Sequence, residues 1–140
     1  MNLLILHGPN LTLLGEREPH IYGAMTLAEL NRRLRAEAKR LGVAMRIFQS
    51  NSEGALIDFL HANRKWADGI VINPAAYTHY SYALRDAIAA VALPAVEVHL
   101  TDIRKREKFR RVSVVAPACV KRISGKGWRS YVGGMKMLLA

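Results

Sequence analysis

The stretch "NLLILH", Asn2 to His7, is an apolar run closed by an imidazole. It lacks the alternation of a half-exposed strand, so it reads as a strand buried on both faces. Strands of that kind belong to parallel sheets, in which helices cover each side. The residues that follow support this. After a polar loop from Gly8 to Met25, Thr26 opens a helix and Glu29 follows three residues later in a capping-box pattern. Leu27, Leu30, Leu34 and Leu41 share one helical face, and Gly42 supplies the stop. "VAMRIFQ", from Val43, is a second strand. Ser52 to about Lys65 is a second helix, with Leu56, Phe59 and Leu60 inward. "GIVIN" is a third strand, "YSYALRDAIAAVA" a third helix, and "AVEVH" a fourth strand. "VSVVA", from Val112 to Ala116, is expected to be the fifth strand, and a last helix runs from near Trp128 to Leu139. Strands alternating with helices imply a parallel α/β sheet covered on both faces. No repeat, linker or boundary divides the chain, so residues 1–140 read as one domain.

Composition narrows the class. About half of the 140 residues are apolar (51%), enough for a packed core. No apolar run reaches the roughly 18 residues of a membrane span. The N-terminus reads as a first strand rather than a leader peptide. Cys119 is the single cysteine, so an internal disulfide is impossible. Together these features favour the cytoplasm. The net charge of +10 is uneven: "RKREKFRR", Arg104 to Arg111, holds six basic residues and one acid, and the tail adds Lys121, Arg122, Lys126, Arg129 and Lys136. This reads as a solvated basic surface, with an anionic substrate drawing on part of it. Nucleic acid is not the expected partner, because neither basic stretch is interleaved with the aromatics of a stacking platform.

Open parallel sheets bind ligands beyond the carboxyl ends of their strands. Those segments are "HGPNLTLLGEREPHIYG", "NPAAYTH" and "HLTD", the last led in by Glu97. They carry Asn10, Arg17, Tyr22, Asn73, His79, Glu97 and His99. Glu97 and His99, two apart on a strand, lie on one face within reach of each other. A carboxylate there can orient an imidazole, and a purely structural ion pair has the same spacing. "GEREPHIYG", Gly15 to Gly23, does not read as a helix, because Pro19 removes a backbone donor in its middle. There is no Walker loop, no G-x-G-x-x-G after the first strand and no G-x-S-x-G elbow. The five histidines lack H-E-x-x-H spacing, and one cysteine cannot build a zinc cluster. The remaining expectation is acid–base chemistry on a small polar molecule, with no cofactor and no metal.

Four segments in order, "GPNLTLLGEREPHIYG", "QSNSEGALIDFLH", "INPAAYTHYSYALRDA" and "VEVHLTDIRKREKFRRVS", resemble the successive motifs of the type II 3-dehydroquinase (3-dehydroquinate dehydratase) family. The resemblance runs in register from Leu3 to about Pro117. It implies a flavodoxin-like three-layer α/β/α fold whose five-stranded parallel sheet has the order 2-1-3-4-5. It implies homododecamers built as a tetramer of trimers. It also implies the anti elimination of water from 3-dehydroquinate, through an enolate, to give 3-dehydroshikimate, a step shared by aromatic amino-acid biosynthesis through the shikimate pathway and by quinate catabolism.

By that resemblance Tyr22 is the base at C2 and His99 the proton donor to the departing hydroxyl, oriented by Glu97. Asn10 holds a water near the enolate oxygen. Asn73, His79, Arg110, Leu100 and Thr101 bind substrate, and Asp86 reaches in from a neighbouring subunit. Free tyrosine has a pKa of about 10, so only roughly one phenol in a thousand is ionised at neutral pH. A guanidinium at about 5 Å and an effective dielectric of about 20 favours the phenolate by roughly 3 kcal/mol. Arg17 matches the residue supplying that charge.

Thr12 stands where the family has asparagine, and Tyr80 replaces a small threonine, which is expected to narrow the site. Asp102 is expected to place a negative charge close to the bound carboxylate. The tail from Ala118 carries charges where the family is mostly apolar and glycine-rich, leaving the packing of the last helix open. The alternative reading is a paralogue, non-catalytic or of altered specificity, that binds an anionic ligand or nucleic acid.

Overall fold

A computed structural model of the chain describes residues 1–16 and 18–140, with all of their side chains except that of Tyr22. Five strands, β1 (Asn2–His7), β2 (Ala44–Gln49), β3 (Gly69–Asn73), β4 (Ala95–His99) and β5 (Lys121–Ser124), form one sheet in the order β2-β1-β3-β4-β5. Every neighbouring pair is parallel. The helices are α1 (Pro19–Tyr22), α2 (Leu27–Leu41), α3 (Glu53–Asn63), α4 (Tyr82–Val91) and α5 (Arg129–Leu139). This is the expected flavodoxin-like α/β fold.

The parity of each strand divides the core. On β1, Leu3 and Ile5 pack with Leu30 and Leu34 of α2 and Tyr131 and Met135 of α5. Leu4 and Leu6 pack on the opposite side with Leu56 and Leu60 of α3 and Leu84 and Ile88 of α4. Both sets are fully buried, which is why β1 cannot alternate in polarity. Local signals set the helix starts. Thr26 Oγ1 accepts from the Glu29 N–H at 3.1 Å, and Ser52 Oγ accepts likewise from Ala55. Helix α5 lies very close to the sheet: a Cβ on Gly134 would come within 3.1 Å of Val98 and 3.3 Å of Val71. The basic tail residues Lys121, Lys126, Arg129 and Lys136 all face solvent, so α5 packs without burying their charge.

Two expectations fail. The segment Val112–Ala116 is not a strand; the fifth strand is Lys121–Ser124. Val115 is fully buried, but Ser113 Oγ accepts from the Ala116 N–H, and Pro117 sits in a short 3-10 turn, Ala116–Ala118, that breaks any ladder. The actual strand, "KRIS", is a polar sheet edge, and charged side chains at an edge discourage pairing with other chains. The segment around Pro19 does form one helical turn. Proline occupies its first position, where a missing N–H costs nothing because no acceptor precedes it.

Candidate active site

A cavity of about 180 Å³ opens beyond the carboxyl ends of β1, β3 and β4. It is lined by Asn10, Asn73, His79, His99, Leu100, Thr101 and Arg110, seven of the site residues expected from sequence. Arg17 and the Tyr22 side chain lie outside the described residues. Glu97 sits behind the cavity wall, and Asp86 is on the exposed face of α4 and does not line it. A larger hollow between α2 and Trp128 has, among the described residues, charged side chains at Glu29 and Arg33.

The β4 side supplies the imidazole. His99 Nε2 is 3.5 Å from Glu97 Oε1, an ion-pair distance rather than a tight hydrogen bond. Glu97 is completely buried, and its Oε1 accepts from Ser113 at 2.7 Å and Thr78 at 3.2 Å. Its Oε2 has no hydrogen-bond partner among the described residues. Two hydroxyls thus hold the carboxylate while it faces His99. Cys119 lies in the same region, but burial, and then the charge of Glu97, push its thiol up to about 12, so it is not a nucleophile.

His79 closes the opposite wall. Its Nδ1 donates to the Val112 carbonyl at 2.7 Å. Burial is the largest influence on the ring and lowers its pKa, with smaller contributions from His99 and Arg110. The neutral ring then offers Nε2 as an acceptor for a substrate hydroxyl. Arg110 stacks 4.7 Å over Phe109, and its Nε is 2.8 Å from Glu107. Arg106 also lines the cavity. Two guanidiniums on one wall suit an anionic ligand.

The β1 and β3 side supplies amides. Asn10 takes the left-handed conformation (φ 67°), which asparagine tolerates, and its N–H donates to Asn51. Asn73 Oδ1 accepts from the Ala75 N–H at 3.0 Å and holds Ala75 at a strained φ of 52°. Gly8 is required here, since a Cβ would lie 2.4 Å from the Pro74 carbonyl oxygen.

Sequence reasoning missed Arg106, one of six basic residues in an undifferentiated run, and Ser113, hidden inside an apparent strand. Two of its expectations about departures change. Tyr80 is 60% exposed, packs edge-on against Tyr77 and does not line the cavity, so it does not narrow it. Asp102 is not an open charge: both its oxygens bind Arg104, at 3.0 Å each, and this pairing lowers its pKa.

An α/β sheet with paired carboxylate and imidazole, two arginines and two amides at its strand ends carries the groups that acid–base chemistry on a small anion requires. The family model for dehydroquinase class II matches residues 1–139, and the chain belongs to that family of hydro-lyases. It is 52% identical to the 3-dehydroquinate dehydratase of Roseiflexus castenholzii over 99% of this chain and 88% of that protein. It is 56% identical to the enzyme of the same name from Desulforudis audaxviator, over 97% and 91%. The crystal structure of type II dehydroquinase from Butyrivibrio crossotus superposes with a TM-score of 0.98 at 42% identity, covering 100% of this chain and 98% of that one.

Proposed function

We propose that this hydro-lyase dehydrates 3-dehydroquinate to 3-dehydroshikimate by anti elimination. Tyr22, as phenolate beside Arg17, takes a proton from C2. The C–H electron pair moves into the ring ketone to form an enolate, with a water held by Asn10 near the enolate oxygen. The enolate then collapses to the C1–C2 double bond. The C1 hydroxyl departs as water with a proton from His99, and Glu97 stabilises the imidazolium before that transfer. Asn73, His79 and Arg110 bind the substrate, and the backbone amides of Leu100 and Thr101 hold its carboxylate. Asp86 serves the site of a neighbouring copy in a dodecamer of four trimers. The enzyme works in the cytoplasm, where the same step serves either biosynthesis or quinate breakdown.

The observation that carries this reading is the convergence of Asn10, Asn73, His79, His99 and Arg110 on one cavity, with Glu97 buried behind His99. Purified protein incubated with 3-dehydroquinate should generate the ultraviolet absorbance of a conjugated enone. Tyr22→Phe should nearly abolish that signal while leaving the circular dichroism spectrum unchanged. A folded wild-type protein that produces no enone would sink the reading, and an active Tyr22→Phe would reassign the base.

A further inference from the structure

The segment "QSNSEGALIDFLH", Gln49 to His61, is one of the four that carry the family resemblance, yet none of its residues lines the cavity. Its first three residues touch the loop that does. Strands β1 and β2 pair in register as far as His7 against Gln49. The Ser50 N–H then donates to the His7 carbonyl at 3.0 Å, and beyond it Pro9 has no N–H with which to continue the ladder. Side chains take over. Gln49 Nε2 donates to the Gly8 carbonyl at 3.1 Å and to Asn51 Oδ1 at 3.2 Å, and Asn51 Oδ1 accepts from the Asn10 N–H at 3.0 Å. The Tyr77 hydroxyl, on the 3-10 turn Ala75–His79, donates to the Asn51 carbonyl at 2.6 Å. Two side-chain amides and a phenol thus tie together the segments that follow β1, β2 and β3.

The sense of each bond is fixed. A backbone N–H can only donate, so the Asn51 atom that faces Asn10 is its oxygen. A carbonyl can only accept, so the Gln49 atom that faces Gly8 is its nitrogen. Asn10 needs such a hold. Its backbone is left-handed (φ 67°), a conformation that costs free energy in any residue with a Cβ and less in asparagine than in most. The Leu13 N–H, 2.9 Å from the Asn10 carbonyl, fixes the peptide on the downstream side. Asn51 fixes the one upstream. With both peptide planes set, the two soft dihedrals between them are set as well, and with them the direction in which the Asn10 side chain leaves the backbone at the cavity wall.

We propose that Asn51, held by Gln49 and Tyr77, is the positioning residue of Asn10: its side-chain oxygen keeps the upstream peptide turned so that the Asn10 amide faces the cavity. The kinetic effect rests on the dehydratase reading, in which Asn10 holds a water near the enolate oxygen; the backbone geometry does not. Asn51 is exposed, so its truncation leaves the core intact. Steady-state kinetics with 3-dehydroquinate should show Asn51→Ala lowering kcat about tenfold and changing KM less. Asn51→Asp keeps an acceptor for both the Asn10 N–H and Gln49 Nε2, and should restore most of the loss. Adding Asn51→Ala to Asn10→Ala should lower kcat no further, because the residue it serves is gone. A merely structural role would lower the melting temperature of Asn51→Ala and leave kcat unmoved. Crystals of the unliganded proteins should hold Asn10 at positive φ in the wild type and in Asn51→Asp, and outside that region in Asn51→Ala. An unchanged kcat in Asn51→Ala, an Asn51→Asp no faster than Asn51→Ala, a double variant that loses both factors in full, or an Asn10 that keeps its φ without the Asn51 side chain would overturn the proposal. A wild-type protein inactive on 3-dehydroquinate would remove the dehydratase reading alone, because the Asn10 backbone in the three crystals still decides what Asn51 does.

Discussion

Acidification should destabilise this protein through His7, and the amount can be worked out. Burial pushes the ring down from the usual 6.5 to about 4, offset only in part by its hydrogen bond to Asn31. Between those two values the unfolded chain binds a proton that the folded chain refuses. Stability therefore rises with pH across the window. The contribution is fully present above the unfolded value and is lost as pH falls through the folded one. A separation of about 2.5 pKa units corresponds to roughly 3 kcal/mol. That is a large share of a typical domain's stability. His7 Nε2 faces Asn31 Oδ1 at 2.8 Å and so carries the ring proton, and an added proton would land on Nδ1, 2.8 Å from the Tyr131 hydroxyl, which would have to turn away. The assay is urea unfolding at fixed protein concentration, for the wild type and His7→Asn, from about pH 7 to about pH 4. His79 is also depressed and destabilises in the same direction, but it is common to both proteins and cancels in the difference. The wild type's advantage over His7→Asn should shrink by roughly 3 kcal/mol across the range. Two stability curves that stay parallel would refute the reasoning, since the ring would then titrate alike in the folded and unfolded states.

Gly8→Ala places a Cβ 2.4 Å from Pro74 O, closer than even a hydrogen-bond partner comes, so the β1 and β3 ends must separate. A drop in stability of about 2 kcal/mol or more is expected by chemical denaturation, with weakened substrate binding. Ala75→Gly relieves the positive φ of 52° and should raise the melting temperature, with a gain of up to about 1 kcal/mol after the entropy cost of glycine. Arg104→Ala strips the partner from the Asp102 carboxylate and should raise KM for an anionic substrate, more at low ionic strength than at high. A KM independent of both the substitution and salt would mean that Asp102 exerts no field in the cavity.

The architecture was largely legible because strand polarity reports burial. Runs such as "NLLILH" and "GIVIN" have one physical solution in a small domain, a strand covered on both faces, and β1, β3 and β4 are buried in that way, while the edge strand β2 follows from its mixed run "AMRIFQ". The fifth was not legible for the converse reason. "VSVVA" has the composition of a strand, but Pro117 and the demand of Glu97 for the Ser113 hydroxyl tie it into an irregular segment. "KRIS" looks like a loop because an edge strand keeps its polar residues. In the site, residues at strand ends could be found by position, while Arg106 could not be told from its five basic neighbours. The buried His7–Tyr131 pair was invisible: one ends an apolar run, the other sits in the tail, and only the fold brings residues 124 positions apart into contact.

The division of strands into two faces also explains how so small a chain assembles so many polar groups in one place. On β3, Val71 and Asn73 face α2 and α5, and on β1 His7 points the same way, so the last residue on that side of each strand is polar. On β4 the opposite parity holds: Val96 and Val98 join the α2 and α5 core, leaving Glu97 and His99 to the side of α4, Thr78 and Ser113. The amide corner and the imidazole corner of the cavity are thus supported by two different core layers that meet only at the carboxyl edge of the sheet. A one-residue shift in β4 would send His99 to the tyrosine side and bury Val98 against Ser113, removing the carboxylate–imidazole pair. The register of β4, pinned on one side by Ile72 against Glu97 and on the other by Ser124 against His99, is therefore as much a part of the site as the side chains themselves.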